Sequence, residues 1–160
     1  MDIVLDTNAF TKIFVGKARE PFVEEVAKRC DIVYVLENFE RELRAILRAI
    51  PLHLMLEPLR RLGEKKKFFR RRVRKGVWVP ERVEDELRRC GANQFDVDLV
   101  KLAFEISRSR GCEARCRVYL VSNDRCIWGM KGLLENYGIH ALKLDDFWRE
   151  YLGEELLKMG

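Results

Sequence analysis

Short runs of β-branched and aliphatic residues alternate with longer stretches of helical periodicity along this chain. The runs are Ile3–Leu5, Ile32–Leu36, Val118–Val121 and, more weakly, Ile139–Leu142. Each is continuous rather than alternating, the pattern of a strand covered on both faces in a parallel sheet. Between them lie amphipathic segments with recognisable ends: Glu20 to Cys30 with Pro21 in the first turn, Glu37 to Ile50 stopped by Pro51, and Pro80 to Cys90 closed by Gly91. Three more follow: Phe95 to Arg110 closed by Gly111, Arg125 to Tyr137 closed by Gly138, and Asp145 to Leu157. Strand and helix in alternation predict an α/β three-layer sandwich, a parallel four- to five-stranded sheet with helices on both faces. No repeat and no Gly/Ser/Pro linker divides residues 1–160, so one domain is expected. The segment from about 52 to 79 fits this alternation least and reads as a helical excursion ending in a short strand at Val77–Val79.

The length, 160 residues, matches one domain, and 48% hydrophobic residues suffice for a core. No apolar run is long enough to span a membrane and the N-terminus lacks a basic leader, which predicts a soluble, cytoplasmic protein. Five cysteines, an odd number, do not suggest a disulfide framework. Cys112 and Cys116 are separated by three residues but have no second pair to complete a zinc site.

Charge changes the picture. The formal net charge is +5, yet residues 60–75 hold ten basic residues and one acid, a local +9 that leaves −4 for the remainder. An acidic body with one basic element suits a polyanionic partner. Lys65, Lys66, Lys67, Arg70, Arg71, Arg72, Arg74 and Lys75 are the candidate phosphate contacts. The alternative is a solvated helix face with Phe68, Phe69 and Val73 packed inward; stacking of Phe68 or Phe69 on unpaired bases is a further reading.

Carboxylates stand where an open α/β sheet binds ligands, beyond the carboxyl ends of its strands. Asp6 directly follows the first strand and Asp124 follows Val121 by three residues, in VSND. On the second helical segment Glu42 lies three and four residues from Phe39 and Ile46, bordering the apolar stripe. Asp96 precedes Leu99, Ala103 and Ile106 by three, seven and ten residues, in line with the buried stripe of its helix. Asp98 lies around the helix from it and is a competing candidate. Each acid also has an ordinary structural reading, as a helix cap or boundary residue. Converging at one rim, however, they would repel unless a hard cation, Mg²⁺ or Mn²⁺, joined them. His53 and His140 fall outside these motifs and are read as structural.

LDTNAF, FEREL, FDVDLVKLA and VSND, in that order, resemble the PIN-domain nucleases, a family that includes toxin ribonucleases and RNA-processing enzymes. The resemblance implies a PIN-like fold and a metal-dependent endoribonuclease whose catalytic and metal-binding residues are Asp6, Glu42, Asp96 and Asp124. Thr7, Asn8 and Ser122 are then supporting polar groups. It further implies RNA as substrate, a homodimer for which Trp128, Trp148 and Tyr151 are contact candidates, and, in the toxin case, a small antitoxin protein. The excursion at 52–79 departs from a minimal toxin. The alternative is a non-catalytic RNA- or nucleotide-binding α/β module; a phosphatase with two aspartates after the first strand is disfavoured because Asn8 occupies the second place.

Overall fold

The computed structural model describes residues 2–15, 19–29, 31–46, 57, 60–109 and 117–151. Among these residues are five strands, β1 (Asp2–Leu5), β2 (Ile32–Leu36), β3 (Phe68–Arg71), β4 (Val118–Val121) and β5 (Ile139–Leu142). They form one all-parallel sheet in the order β3-β2-β1-β4-β5. The helices are α1 (Thr7–Val15), α2 (Arg19–Arg29), α3 (Phe39–Ile46), α4 (Glu81–Cys90), α5 (Gln94–Ser109), α6 (Arg125–Trp128), α7 (Lys131–Glu135) and α8 (Leu144–Tyr151). Among the described residues no helix is long and apolar enough to cross a membrane.

Side-chain alternation divides the strands between two cores. Ile3, Leu5, Val33, Val35, Tyr119, Val121 and Leu142 pack with residues of α1, α2, α3 and α8. Val4, Tyr34, Leu36, Val118, Leu120, Ile139 and Ala141 point the other way, onto α4, α5, α6 and α7. This is the three-layer arrangement, and burial on both faces explains why these strands are written as unbroken apolar runs. Fully buried side chains such as Phe10, Phe22 and Phe104 each stabilise the fold by about 1.5–3 kcal/mol relative to exposure.

Several expectations need correction. The basic segment is not a helix: residues 60–64 are helical, but Phe68–Arg71 is the edge strand β3, parallel to β2, and Val77–Val79 forms no strand. An edge strand tolerates charge because one of its flanks meets solvent. Phe68 and Phe69 point to opposite faces and pack on Phe39 and Tyr34, at centroid distances of 6.3 and 5.9 Å, so neither is offered to a base. A further helix, α1, fills residues 7–15. The expected helix from Arg125 to Tyr137 is two, interrupted at Gly129 and Met130; a Cβ at Gly129 would lie 2.7 Å from the Arg125 carbonyl oxygen. Trp148 and Tyr151 are buried in the core, and Trp128 is half-buried under Lys143, whose ammonium lies 3.9 Å from the ring centroid. His140 sits in the core with its ring nitrogens on Glu135 (2.7 Å) and Glu150 (2.9 Å), as a structural histidine should. His53, Cys112 and Cys116 lie outside the described residues.

Candidate functional site

The strand order decides where a ligand would sit. From β1 the chain builds outward to β2 and β3, then returns to the other side of β1 for β4 and β5. Connections therefore diverge between the carboxyl ends of β1 and β4, and this switch point opens a crevice. Leu5 pairs with Val121 there, so the residues that follow, Asp6 and Ser122 to Asp124, emerge side by side.

Asp6 is held from three directions. Its N–H donates to the Val121 carbonyl at 3.0 Å, continuing the ladder. One carboxylate oxygen accepts from the Thr7 N–H (2.6 Å), and the other from the Ser122 hydroxyl (2.5 Å). Ser122, fully buried, also accepts from the Asp124 N–H at 3.0 Å, so one hydroxyl spaces the two aspartates. Burial raises the Asp6 pKa; the Ser122 and Thr7 hydrogen bonds oppose that rise, and the charges of Asp124 and Glu42 add to it. Asn8 accepts from the Asn123 N–H (3.4 Å), and Asn123 in turn accepts from the Leu144 N–H (3.1 Å), tying the crevice to the start of α8.

Asp124 caps α6, accepting from the Cys126 N–H at 2.8 Å. Capping and site membership coexist, since the second oxygen remains available. Asp96 arrives on the first turn of α5, in the same layer as α6. Asn93 and Asp96 cap each other: the Asp96 N–H donates to Asn93 Oδ1 (2.9 Å) and the Asn93 N–H to Asp96 Oδ2 (3.4 Å). Asp96 is buried, and its pKa is pushed up to about 6, first by that burial, then by the charges of Asp124 and Asp6, with a carboxyl hydrogen bond to Asp124 also holding the proton.

Glu42 is exposed on α3 rather than lodged at the stripe boundary, because Phe39 and Leu43 make the buried edge; its charge nonetheless reaches Asp6. Asp98 is held on its own helix by the Gln94 amide at 2.8 Å. Asp6, Asp96 and Asp124 are thus brought together with Glu42 beside them, while Asp98 is turned to a different partner. As placed, no three of the described His, Cys, Asp or Glu side chains form a preformed metal shell. Their fit to a cation shows in their electrostatics. Burial and the charges of Asp124 and Asp6 disfavour ionisation of Asp96, and the donor set is oxygen alone, which matches a hard divalent ion. The buried Thr7 hydroxyl oxygen, without a partner among the described residues, is a further unsatisfied polar atom beside Asp6.

Two features were missed in the sequence. Asn93 orients Asp96, and the Asn-x-x-Asp spacing of NQFD was the signal for it. A disulfide joins Cys90 to Cys126, linking the end of α4, three residues before Asn93, to the residue two after Asp124. Nothing in a spacing of 36 residues announces that pair.

Of the basic candidates, Lys67 donates to the Ala27 carbonyl (2.5 Å), Arg70 pairs with Glu40, and Arg74 pairs with Glu105 (3.2 Å). Arg71 lies over the Tyr34 and Phe69 rings, while Lys65, Lys66, Arg72 and Lys75 are exposed. Compared with known proteins, the sequence matches no family model and no curated protein.

Proposed function

We propose that this chain is a PIN-like, metal-dependent endoribonuclease that hydrolyses RNA phosphodiester bonds at the crevice between β1 and β4. One observation carries the reading: Asp6, Asp96 and Asp124 are brought together at the switch point with Glu42 beside them, and burial and their mutual repulsion raise the pKa values of Asp6 and Asp96, a repulsion that a cation would relieve. A structural cap needs no such crowding, and uncompensated carboxylates at a sheet rim destabilise the fold that holds them.

Asp6, Asp96, Asp124 and Glu42 would hold Mg²⁺ or Mn²⁺. When bound, such an ion supplies a water of lowered pKa and neutralises charge on the phosphate. The chain's own residues prepare that state. Ser122 and the Thr7 N–H fix the orientation of Asp6, and Asn93 fixes that of Asp96. The exposed lysines and arginines of residues 65–75 supply backbone contacts to RNA. The family resemblance also supports a homodimer and, for a toxin, an antitoxin partner.

The test is incubation of pure protein with a mixed RNA pool in Mg²⁺, in Mn²⁺ or in EDTA, beside Asp6→Asn. Metal-dependent cleavage by the parent and none by the variant is expected. Equal cleavage by both, or none by the parent with either metal, would overturn the proposal.

A further inference from the structure

Below the rim, on the α5 side of the sheet, a groove of about 460 Å³ runs along β2 and the edge strand β3, lined in part by Tyr34, Arg71, Arg74, Trp78, Glu105 and Arg108. Trp78 is 61% exposed, an unusual placement for the largest aromatic side chain. Arg108 lies over this ring with its guanidinium 4.8 Å from the centroid, and the same guanidinium is 5.5 Å from the Phe104 ring. Arg71, over Phe69 at 5.3 Å, stands at the carboxyl end of β3, level with Leu36 at the end of β2. Three arginines thus face one carboxylate, Glu105, which is engaged by Arg74 at 3.2 Å.

We propose that this groove binds single-stranded RNA, with a base stacked on the free face of Trp78 and phosphates on Arg71, Arg74 and Arg108. An exposed indole beside guanidinium planes favours nucleobases, because every base offers a π-face and the arginines take the backbone. An acidic peptide would use the charges but would leave the indole without a stacking partner. The position suits a substrate path. Leu102 to Ser109 line the groove from α5, six to thirteen residues beyond Asp96, or roughly 9–20 Å along the helix axis. A strand seated in the groove therefore leads past Arg71 to the carboxylate crevice. This inference rests on RNA being the substrate, and it extends the contact surface from the basic run to Trp78 and Arg108, on elements outside it.

Binding is measured in EDTA, so that cleavage plays no part, by anisotropy of a labelled oligouridylate of about eight nucleotides. The parent is compared with Trp78→Leu, Trp78→Phe and Arg108→Gln. Parent binding should weaken about tenfold in Trp78→Leu and be largely retained in Trp78→Phe, and oligonucleotide should quench tryptophan emission of the parent. Because Trp78 is exposed, the melting temperature should be unchanged. Equal affinity for parent and Trp78→Leu, or no binding by the parent, would overturn the groove assignment. The nuclease reading is judged separately in Mn²⁺: cleavage with no effect of Trp78→Leu sinks the groove alone, and Trp78-dependent binding without cleavage sinks the nuclease alone.

Discussion

Asp96, on the first turn of α5, and Asp124, in the loop after β4, stand close enough at the switch point that the Asp124 charge, added to burial, raises the Asp96 pKa. Like charges so placed repel, and a proton at low pH or a cation at neutral pH relieves that repulsion.

That relationship makes stability depend on pH. Asp96 ionises at about 6 when folded and in the ordinary carboxylate range when unfolded, so the folded state binds the proton more tightly. Its contribution is complete below the unfolded value and is lost as pH rises through about 6. In EDTA the melting temperature should fall between pH 5 and pH 7, and Asp96→Asn should flatten that fall and melt about 3 °C higher than the parent at neutral pH. A parent curve that rises over this range would contradict the assignment.

Asp6→Asn and Asp124→Asn should each reduce cleavage at least about 100-fold, as expected for loss of a metal ligand, while leaving the metal-free protein folded. Circular dichroism melts beside the cleavage assay check both halves. Activity within a few-fold of the parent in either variant would remove that residue from the site.

On α5 the ranking is geometric. Asp96→Asn should abolish cleavage, and Asp98→Asn should retain most of it, because the Asp98 carboxylate is held by Gln94 on a different face. The reverse order in a side-by-side assay would show that Asp98 is the ligand.

These predictions separate what the sequence discloses from what it conceals. β1, β2, β4 and β5 were legible because burial on both faces fills them with apolar residues, Asp2 and His140 aside. β3 was concealed because FFRR at a sheet edge carries two buried-side rings followed by two solvent-facing arginines, which periodicity alone reads as a basic helix. Asp6 and Asp124 were legible from their places after strands, and Asp96 from its phase with Leu99, Ala103 and Ile106. The exposure of Glu42 was not, since a residue next to a stripe turns outward or inward according to the neighbour that packs there. Trp78 and Arg108, thirty residues apart, meet only in the folded chain.

The disulfide provides a further test. Cys90–Cys126 ties the turn leading to Asn93 and Asp96 to the turn capped by Asp124. Cys90→Ala/Cys126→Ala, or treatment with a dithiol reductant, should cost about 2–4 kcal/mol in denaturant unfolding. It should also weaken Mn²⁺ affinity, because the two aspartates are then less firmly juxtaposed. Unaltered stability and affinity would show that packing alone holds the crevice.

Salt dependence tests the basic segment residue by residue. Arg72→Ala and Lys75→Ala should each flatten the slope of log affinity for single-stranded RNA against log salt by about 0.7. Arg70→Ala should change it less, since Glu40 already occupies its guanidinium. Equal effects of all three would mean that the Arg70 pair opens when RNA binds.

The central claim is that the crevice carboxylates form a cation site, and calorimetric Mn²⁺ titration in buffers of different ionisation enthalpy measures it most directly. Binding by the parent should release about half a proton at pH 6 and close to none at pH 8, and Asp6→Asn should bind at least about 100-fold more weakly. No Mn²⁺ binding by the parent, or binding unaffected by Asp6→Asn and without proton release at pH 6, would contradict the account.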